Sequence, residues 1–255
     1  MNDISSRSDG SRVPAAPVPP HPALVFDVVI PTWNEERLLP DLLRRVRASP
    51  HVGQVIVADA CSDDTTVQIA EAAAALVVAG GRPAVGRNVG SRSGSSEYLL
   101  FLDADVQVDT EIIAQVAAVL SDSTVSAVHP RLVPLTAKRF VRLCYHVLDR
   151  YAQFCSWIHR PQGIGALIAV RRSAFEAVGG FDESVQAGED SHFFGQLGRR
   201  VGGVVYCRDI ELPVSARRFE LESPLWFAAK NLLWAPLRLA GLRVSVIPYT
   251  WRRYP

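Results

Sequence analysis

The chain is predicted to be an α/β protein built on a doubly wound, mainly parallel sheet, and three observations predict it. Strand-like and helix-like patterns alternate from Leu24 onward with short connections between them, the order expected of βαβ units. The strand-like runs are short, apolar and rich in branched residues, as strands buried on both faces are. One of them, Tyr98-Leu99-Leu100-Phe101-Leu102, ends abruptly in Asp103-Ala104-Asp105. In open α/β sheets ligands bind at the carboxyl ends of strands. Two carboxylates that close repel unless a cation lies between them, and a divalent metal carrying a phosphate suits such hard oxygen donors.

The elements follow in order. Residues 24–30 are a β-rich run closed by Pro31, and Leu38, Leu39, Leu42, Leu43 and Val46 give helical spacing over 35–47. A second strand is expected over 54–58, a helix over 65–75, and a short strand over 76–79. A helix over 86–93 leads to the strand 98–102, and a further helix, 110–120, leads to a strand over 125–129. Beyond Pro134 a long aromatic-rich helix is expected over 137–158, a strand over 163–170, and a turn at Gly179-Gly180. A helix over 191–201 and a strand over 203–207 close the pattern. No linker separates the halves, so the second half is expected to complete a cleft opened by the first.

At 255 residues, 48% hydrophobic and 21% charged, the chain has ample material for a globular core. A net charge of +1 gives no field that argues for nucleic acid as a partner. Cys61, Cys144, Cys155 and Cys207 are scattered, which suits neither a zinc site nor a disulfide framework and points to a reducing cytoplasm. Residues 1–22 are rich in Ser, Pro, Ala and Asp without an apolar core. They read as a disordered leader rather than a signal peptide. No run of eighteen apolar residues predicts a spanning helix.

Each polar cluster at a strand end has a bland reading and a chemical one. Thr32 or Asn34 can cap the first helix, with Glu35 and Glu36 complementing its dipole. The same strand edge, with Pro31, suits a nucleotide's base and ribose. After the second strand Ser62 or Asp63 is expected to cap the next helix, whereas Asp59 comes too early for capping and can accept from a base or a ribose hydroxyl. Arg87 reads equally as a solvated charge or as a contact to base or diphosphate. Glu189 and Asp190 read as the acidic first turn of a helix. Gly163 and Gly165 allow close backbone approach or simply a turn.

Taken together, V-I-P-T-x-N-E from Val29, V-x-D-x-x-S-D-x-T from Val57, R-N-x-G from Arg87 and F-L-D-A-D from Phe101 resemble family 2 glycosyltransferases with the GT-A fold. So does the run from Gly163 to Glu183, followed by Gly188-Glu189-Asp190. The resemblance implies that Pro31, Thr32, Asn34, Glu35, Asp59, Arg87 and Asp103 bind the nucleotide of a UDP- or GDP-type sugar donor. It further implies that Asp103 and Asp105 hold Mg²⁺ or Mn²⁺ against the diphosphate, Asp105 more directly. Asp190 is then the base of an inverting transfer, Glu189 positions donor sugar or acceptor, and Gly163 and Gly165 face the sugar. Arg217 or Arg218 is placed to neutralise the departing diphosphate, or both are exposed. Ala58, Ala60 and Asp64 depart from the family's second motif and leave the base open. Some members add a late histidine to the metal; none follows His192, and His129 reads as structural.

The expected organisation is a leader over 1–22, a GT-A domain over 23–220 and a helical, basic and aromatic extension over 221–255. Within that extension residues 224–244 either pack on the core or contact an anionic membrane, which would suit a lipid-linked acceptor on the cytoplasmic face. The Q-x-x-R-W signature of processive synthases is absent, so a single transfer is expected. A phosphohydrolase using the D-x-D pair is the rival enzyme, disfavoured by Gln107 and by the pair's place on the fourth strand. Nucleotide-sugar binding without turnover is the non-enzymatic rival.

Overall fold

β1 (Phe26–Thr32) sits where the strand order reverses, and this places the cleft. The structure, a computed structural model, describes residues 24–185 and 188–217, with Phe219, Ser223, Trp226, Ala229 and Leu233 beyond. The leader, Arg218 and nearly all of the 221–255 extension lie outside the described residues. β1 is followed by α1 (Leu39–Arg47), β2 (Val52–Asp59), α2 (Thr66–Ala72), β3 (Leu76–Ala79) and α3 (Pro83–Arg92). Next come β4 (Tyr98–Leu102), α4 (Thr110–Leu120), β5 (Ala127–Leu135) and α5 (Arg139–Trp157). β6 (Leu167–Arg171), α6 (Arg172–Val178), α7 (Glu189–Arg200) and β7 (Val204–Ser215) complete the described fold.

These seven strands form one sheet in the order β3-β2-β1-β4-β6-β5-β7. β1 pairs in parallel with β2 on one side and β4 on the other, so a crevice opens between their carboxyl ends. Successive side chains leave a strand on opposite faces, and the core divides accordingly. Leu100 and Leu102 pack with Leu42 of α1 and Ile113 of α4. Leu99 and Phe101 pack on the other side with Phe175 of α6 and Phe193 of α7. A largely buried ion pair ties the amino ends of β1 and β4 to the start of α6. Arg172 Nη2 donates to Asp27 Oδ2 at 2.9 Å, and the Ser96 amide and hydroxyl donate to the same carboxylate.

The doubly wound sheet is as expected, with specific corrections. β6 runs antiparallel to β4 and β5. It begins at Leu167 rather than 163, because residues 163–166 form a loop against α7. β5 and β7 extend to Leu135 and Ser215, pairing in parallel along their length across a bulge. α1 starts at Leu39, and neither Thr32 nor Asn34 caps it. Neither Ser62 nor Asp63 caps α2; Asp64 Oδ1 instead accepts from the Thr66 amide at 2.9 Å. α6 has no counterpart among the expected elements.

Candidate active site

The first wall of the crevice is made where β1 and β2 end side by side, Thr32 in register with Asp59. Thr32 Oγ1 donates to Asp59 Oδ1 at 3.0 Å, and the Ser62 hydroxyl and amide donate to the same carboxylate at 2.6 and 2.8 Å. Asn34 adopts a left-handed φ of 56°, a conformation that asparagine tolerates better than most residues. Its amide donates to Ser62 Oγ, and its side chain pairs with Asp63. The Glu35 amide donates to Thr66 Oγ1. The loops after β1 and β2 are thus stitched together before α1 begins. Pro31 is buried in β1 beneath them.

The second element is an acidic cluster. Asp103 and Asp105 follow β4 directly, their backbone held by Asp103 N–H donating to Ala166 O and by Asp105 O accepting from Ser215 N–H. Arg217 reaches across from the end of β7. Its Nη2 donates to Glu35 Oε1 at 2.6 Å, and its Nε lies 3.5 Å from Asp105 Oδ2. Burial raises the Glu35 carboxyl above its ordinary range; Arg217 opposes this, and the charges of Asp105 and Asp103 add to it. Glu35 Oε2 is buried with no hydrogen-bond donor. Hard, partly unsatisfied oxygens of this kind fit Mg²⁺ or Mn²⁺. Among the described residues no group of three or more His, Cys, Asp or Glu makes a closed metal cage.

Arg87 of α3 is the hub between this cluster and the opposite wall. It is 2% exposed, so the solvated reading does not hold. Its Nη2 donates to Asp103 Oδ1 at 2.7 Å and to Gly165 O at 3.3 Å, and its Nη1 donates to Glu189 Oε1 at 2.9 Å. The guanidinium also stacks over Phe181. Burial opposes the Arg87 charge, but the surrounding carboxylates of Asp103, Glu189 and Asp190 outweigh it and fix the proton more firmly than usual. Glu189 is raised by burial first and by Asp190 next, with Arg87 opposing.

The far wall begins at Gly188, in a left-handed conformation with φ 75° as the N-cap of α7. Glu189 and Asp190 therefore occupy the first turn, where the helix dipole favours negative charge. Asp190 Oδ2 accepts from Gly165 N–H at 2.6 Å, and its Oδ1 accepts from Ser191 N–H at 2.7 Å. A Cβ on Gly165 would lie 2.9 Å from Asp190 Cβ, and one on Gly163 would lie 2.7 Å from the Phe194 ring. Only glycine permits the loop to press this closely on α7. The crevice thus gathers Thr32, Glu35, Asp59, Arg87, Asp103, Asp105, Gly165, Glu189, Asp190 and Arg217. The pairing of Arg217 with Glu35, and of Arg87 with two carboxylates, had no local signal in the sequence.

His129 belongs to β5 and packs between Phe194 and Tyr206, with ring centroids 4.4 and 5.0 Å away. Burial pushes its pKa down to about 3 from an ordinary 6.5, which makes it a neutral core residue. Below pH 6.5 the unfolded chain takes up a proton here that the folded chain refuses. Stability should therefore fall by about 1.4 kcal/mol per pH unit as pH drops from 6.5 toward 3. Urea midpoints across this range, wild type minus His129→Gln, check it; an identical pH slope in both proteins would contradict it.

The family model described as glycosyl transferase family 2 matches residues 27–179. A poly(ribitol-phosphate) beta-N-acetylglucosaminyltransferase of Staphylococcus aureus is 30% identical over 38% of this chain and 19% of its own length. An undecaprenyl-phosphate 4-deoxy-4-formamido-L-arabinose transferase of Pseudomonas fluorescens is 32% identical over 39% of this chain and 33% of its own. The chain thus spans a fifth to a third of the length of these curated relatives. Among solved structures, the glucosyl-3-phosphoglycerate synthase of Mycobacterium tuberculosis, in complex with Mn²⁺, UDP and its product, superposes with a TM-score of 0.65. It is 16% identical over 89% of this chain and 84% of that one, a likeness of fold. With a family match over most of the described sheet, and the GT-A arrangement of strands that goes with it, the chain belongs to glycosyl transferase family 2.

Proposed function

We propose that the protein moves a single sugar, with inversion, from a UDP- or GDP-type nucleotide-sugar donor to an acceptor hydroxyl in a divalent-metal-dependent reaction. The observation that carries this reading is the placement of the Asp103–Asp105 acids and Asp190 on opposite walls of one crevice, with Arg87 between them. Thr32, Asn34 and Asp59, with Pro31 beneath, form the nucleoside side. Asp105, with Asp103, would hold a Mg²⁺ or Mn²⁺, which would supply Lewis-acid charge at the leaving diphosphate. Arg217, or Arg218 next to it in sequence, adds cationic charge there.

Asp190 carries the base role. Its carboxylate takes the acceptor hydroxyl proton as that oxygen bonds to the sugar's anomeric carbon. The bond from that carbon to the diphosphate oxygen breaks, and its electron pair leaves with the nucleoside diphosphate. Glu189, tied to Arg87, positions the donor sugar. Gly163 and Gly165 keep the loop flat enough for the sugar to approach. The undecaprenyl-phosphate relative supports a lipid-linked acceptor, and the base step requires that its attacking oxygen be a hydroxyl rather than the phosphate itself.

The test is slow donor hydrolysis, with water standing in for the acceptor. A panel of UDP- and GDP-sugars with Mn²⁺ is followed for nucleoside diphosphate release, and the first-formed free sugar is read by NMR. One donor should be cleaved, with its anomeric configuration inverted. Tight binding without release from any donor, on a broad acceptor panel as well, would favour a binding protein instead.

A further inference from the structure

We infer that α5 is a membrane-docking helix, and that its exposed face lies on an anionic, phosphate-bearing bilayer surface. This rests on the surface of α5 and not on the transfer chemistry. Every exposed residue of this 19-residue helix is either apolar or basic. Phe140, Leu143, Val147, Phe154 and Trp157 are exposed by 42, 55, 37, 50 and 76%. Their spacings of three, four and seven residues put them on one stripe. Arg139, Arg142, His146 and Arg150 are exposed along one flank of that stripe. The helix's single acid, Asp149, is buried, where it accepts from Tyr206 and Gln153.

Two further features choose the occupant. Beside the amino-terminal half of α5 lies a groove of about 410 Å³, lined by Arg131, Arg139, Arg142 and His146 together with apolar Leu132 and Leu143. Cationic rims over an apolar floor match a phosphate headgroup above acyl chain. A second copy of the chain fits poorly. Packing α5 against itself would bring arginines together with no exposed acid on either helix to pair them, and like charges at such spacing repel. The helix also lies next to the crevice. Phe219, two residues beyond Arg217, packs on Tyr145 and Val141 of α5. The buried face of α5 thus supports the segment that carries Arg217, on the side opposite the exposed stripe. Among the described residues no helix is long and apolar enough to cross a membrane, so α5 lies on the surface.

The experiment is co-sedimentation of the full chain with vesicles of phosphatidylcholine alone, or of phosphatidylcholine with phosphatidylglycerol, at low and high salt. Variants are Leu143→Glu with Phe154→Glu, and Arg139→Glu with Arg142→Glu. Arg44→Glu, on the exposed side of α1, is the control, and thermal melts confirm that each protein is folded. The wild type and the control should sediment with anionic vesicles and be released by salt. Either α5 pair should weaken partition by about tenfold or more. Three results would overturn the inference: no partition of the wild type, partition that both α5 pairs leave unchanged, or a dimer in light scattering that the same substitutions dissolve.

Discussion

Asp190→Asn should lower the rate of sugar transfer by about 10²–10⁴-fold, the usual contribution of a positioned base, while nucleotide-sugar affinity stays within about twofold. The geometry makes this separation possible. Asparagine is isosteric, and its carbonyl oxygen can still accept from Gly165 N–H, the 2.6 Å bond that pins the 163–166 loop to α7. What it loses is the capacity to take a proton, together with the local bond that Oδ1 accepts from the Ser191 amide at 2.7 Å. Turnover and donor titration by calorimetry, run on the same preparations, separate the two roles. Loss of donor binding would make Asp190 a structural clamp, and unchanged turnover would remove it from the chemistry.

Arg87→Met should have the largest effect on stability. The arginine is buried between Asp103 and Glu189, at 2.7 and 2.9 Å. Its removal leaves two acids facing a vacated apolar space beside Phe181 with no cation between them. Breaking a buried pair in this one-sided way costs about 3–5 kcal/mol, a large part of an ordinary domain's stability. Burial and Asp190 already raise Glu189, and without Arg87 its carboxyl should rise further. Urea unfolding measures the loss. Arg87→Lys should recover only part of it, because an ammonium cannot span both carboxylates as the guanidinium fork does. A deficit under about 1 kcal/mol in Arg87→Met would mean that the network relaxes or fills with water.

The sheet was legible because its signals are local. Apolar runs ending at Pro31, Asp59 and Asp103 mark carboxyl ends, and the D-x-D pair announces a cation requirement on its own. Strand direction was not legible. Leu167–Arg171 reads the same parallel or antiparallel, and a long connection through α5 allows either. The start of α1 was missed for another reason. Asn34 and Glu35 are drawn off the helix by bonds to Ser62, Asp63 and Thr66, about thirty residues away. Arg87 and Arg217 show the same limit more sharply. An arginine's fate depends on which carboxylates the fold delivers to it, and here these lie 16, 102 and 182 positions distant. Periodicity cannot see such partners.

The site's central claim is that Asp105 and its neighbours form a metal-dependent anchor for a sugar donor's diphosphate. Thermal unfolding of wild type and Asp105→Ala with UDP- and GDP-sugars, each with and without Mn²⁺, tests it most directly. At a donor concentration about a hundredfold over Kd, binding should add about 2.7 kcal/mol to the folded state. The wild type should gain this from its donor only when Mn²⁺ is present, and Asp105→Ala should lose the gain while melting alone as the wild type does. A wild type that no nucleotide-sugar stabilises in a metal-dependent way, or an Asp105→Ala protein that keeps the full shift, would contradict it.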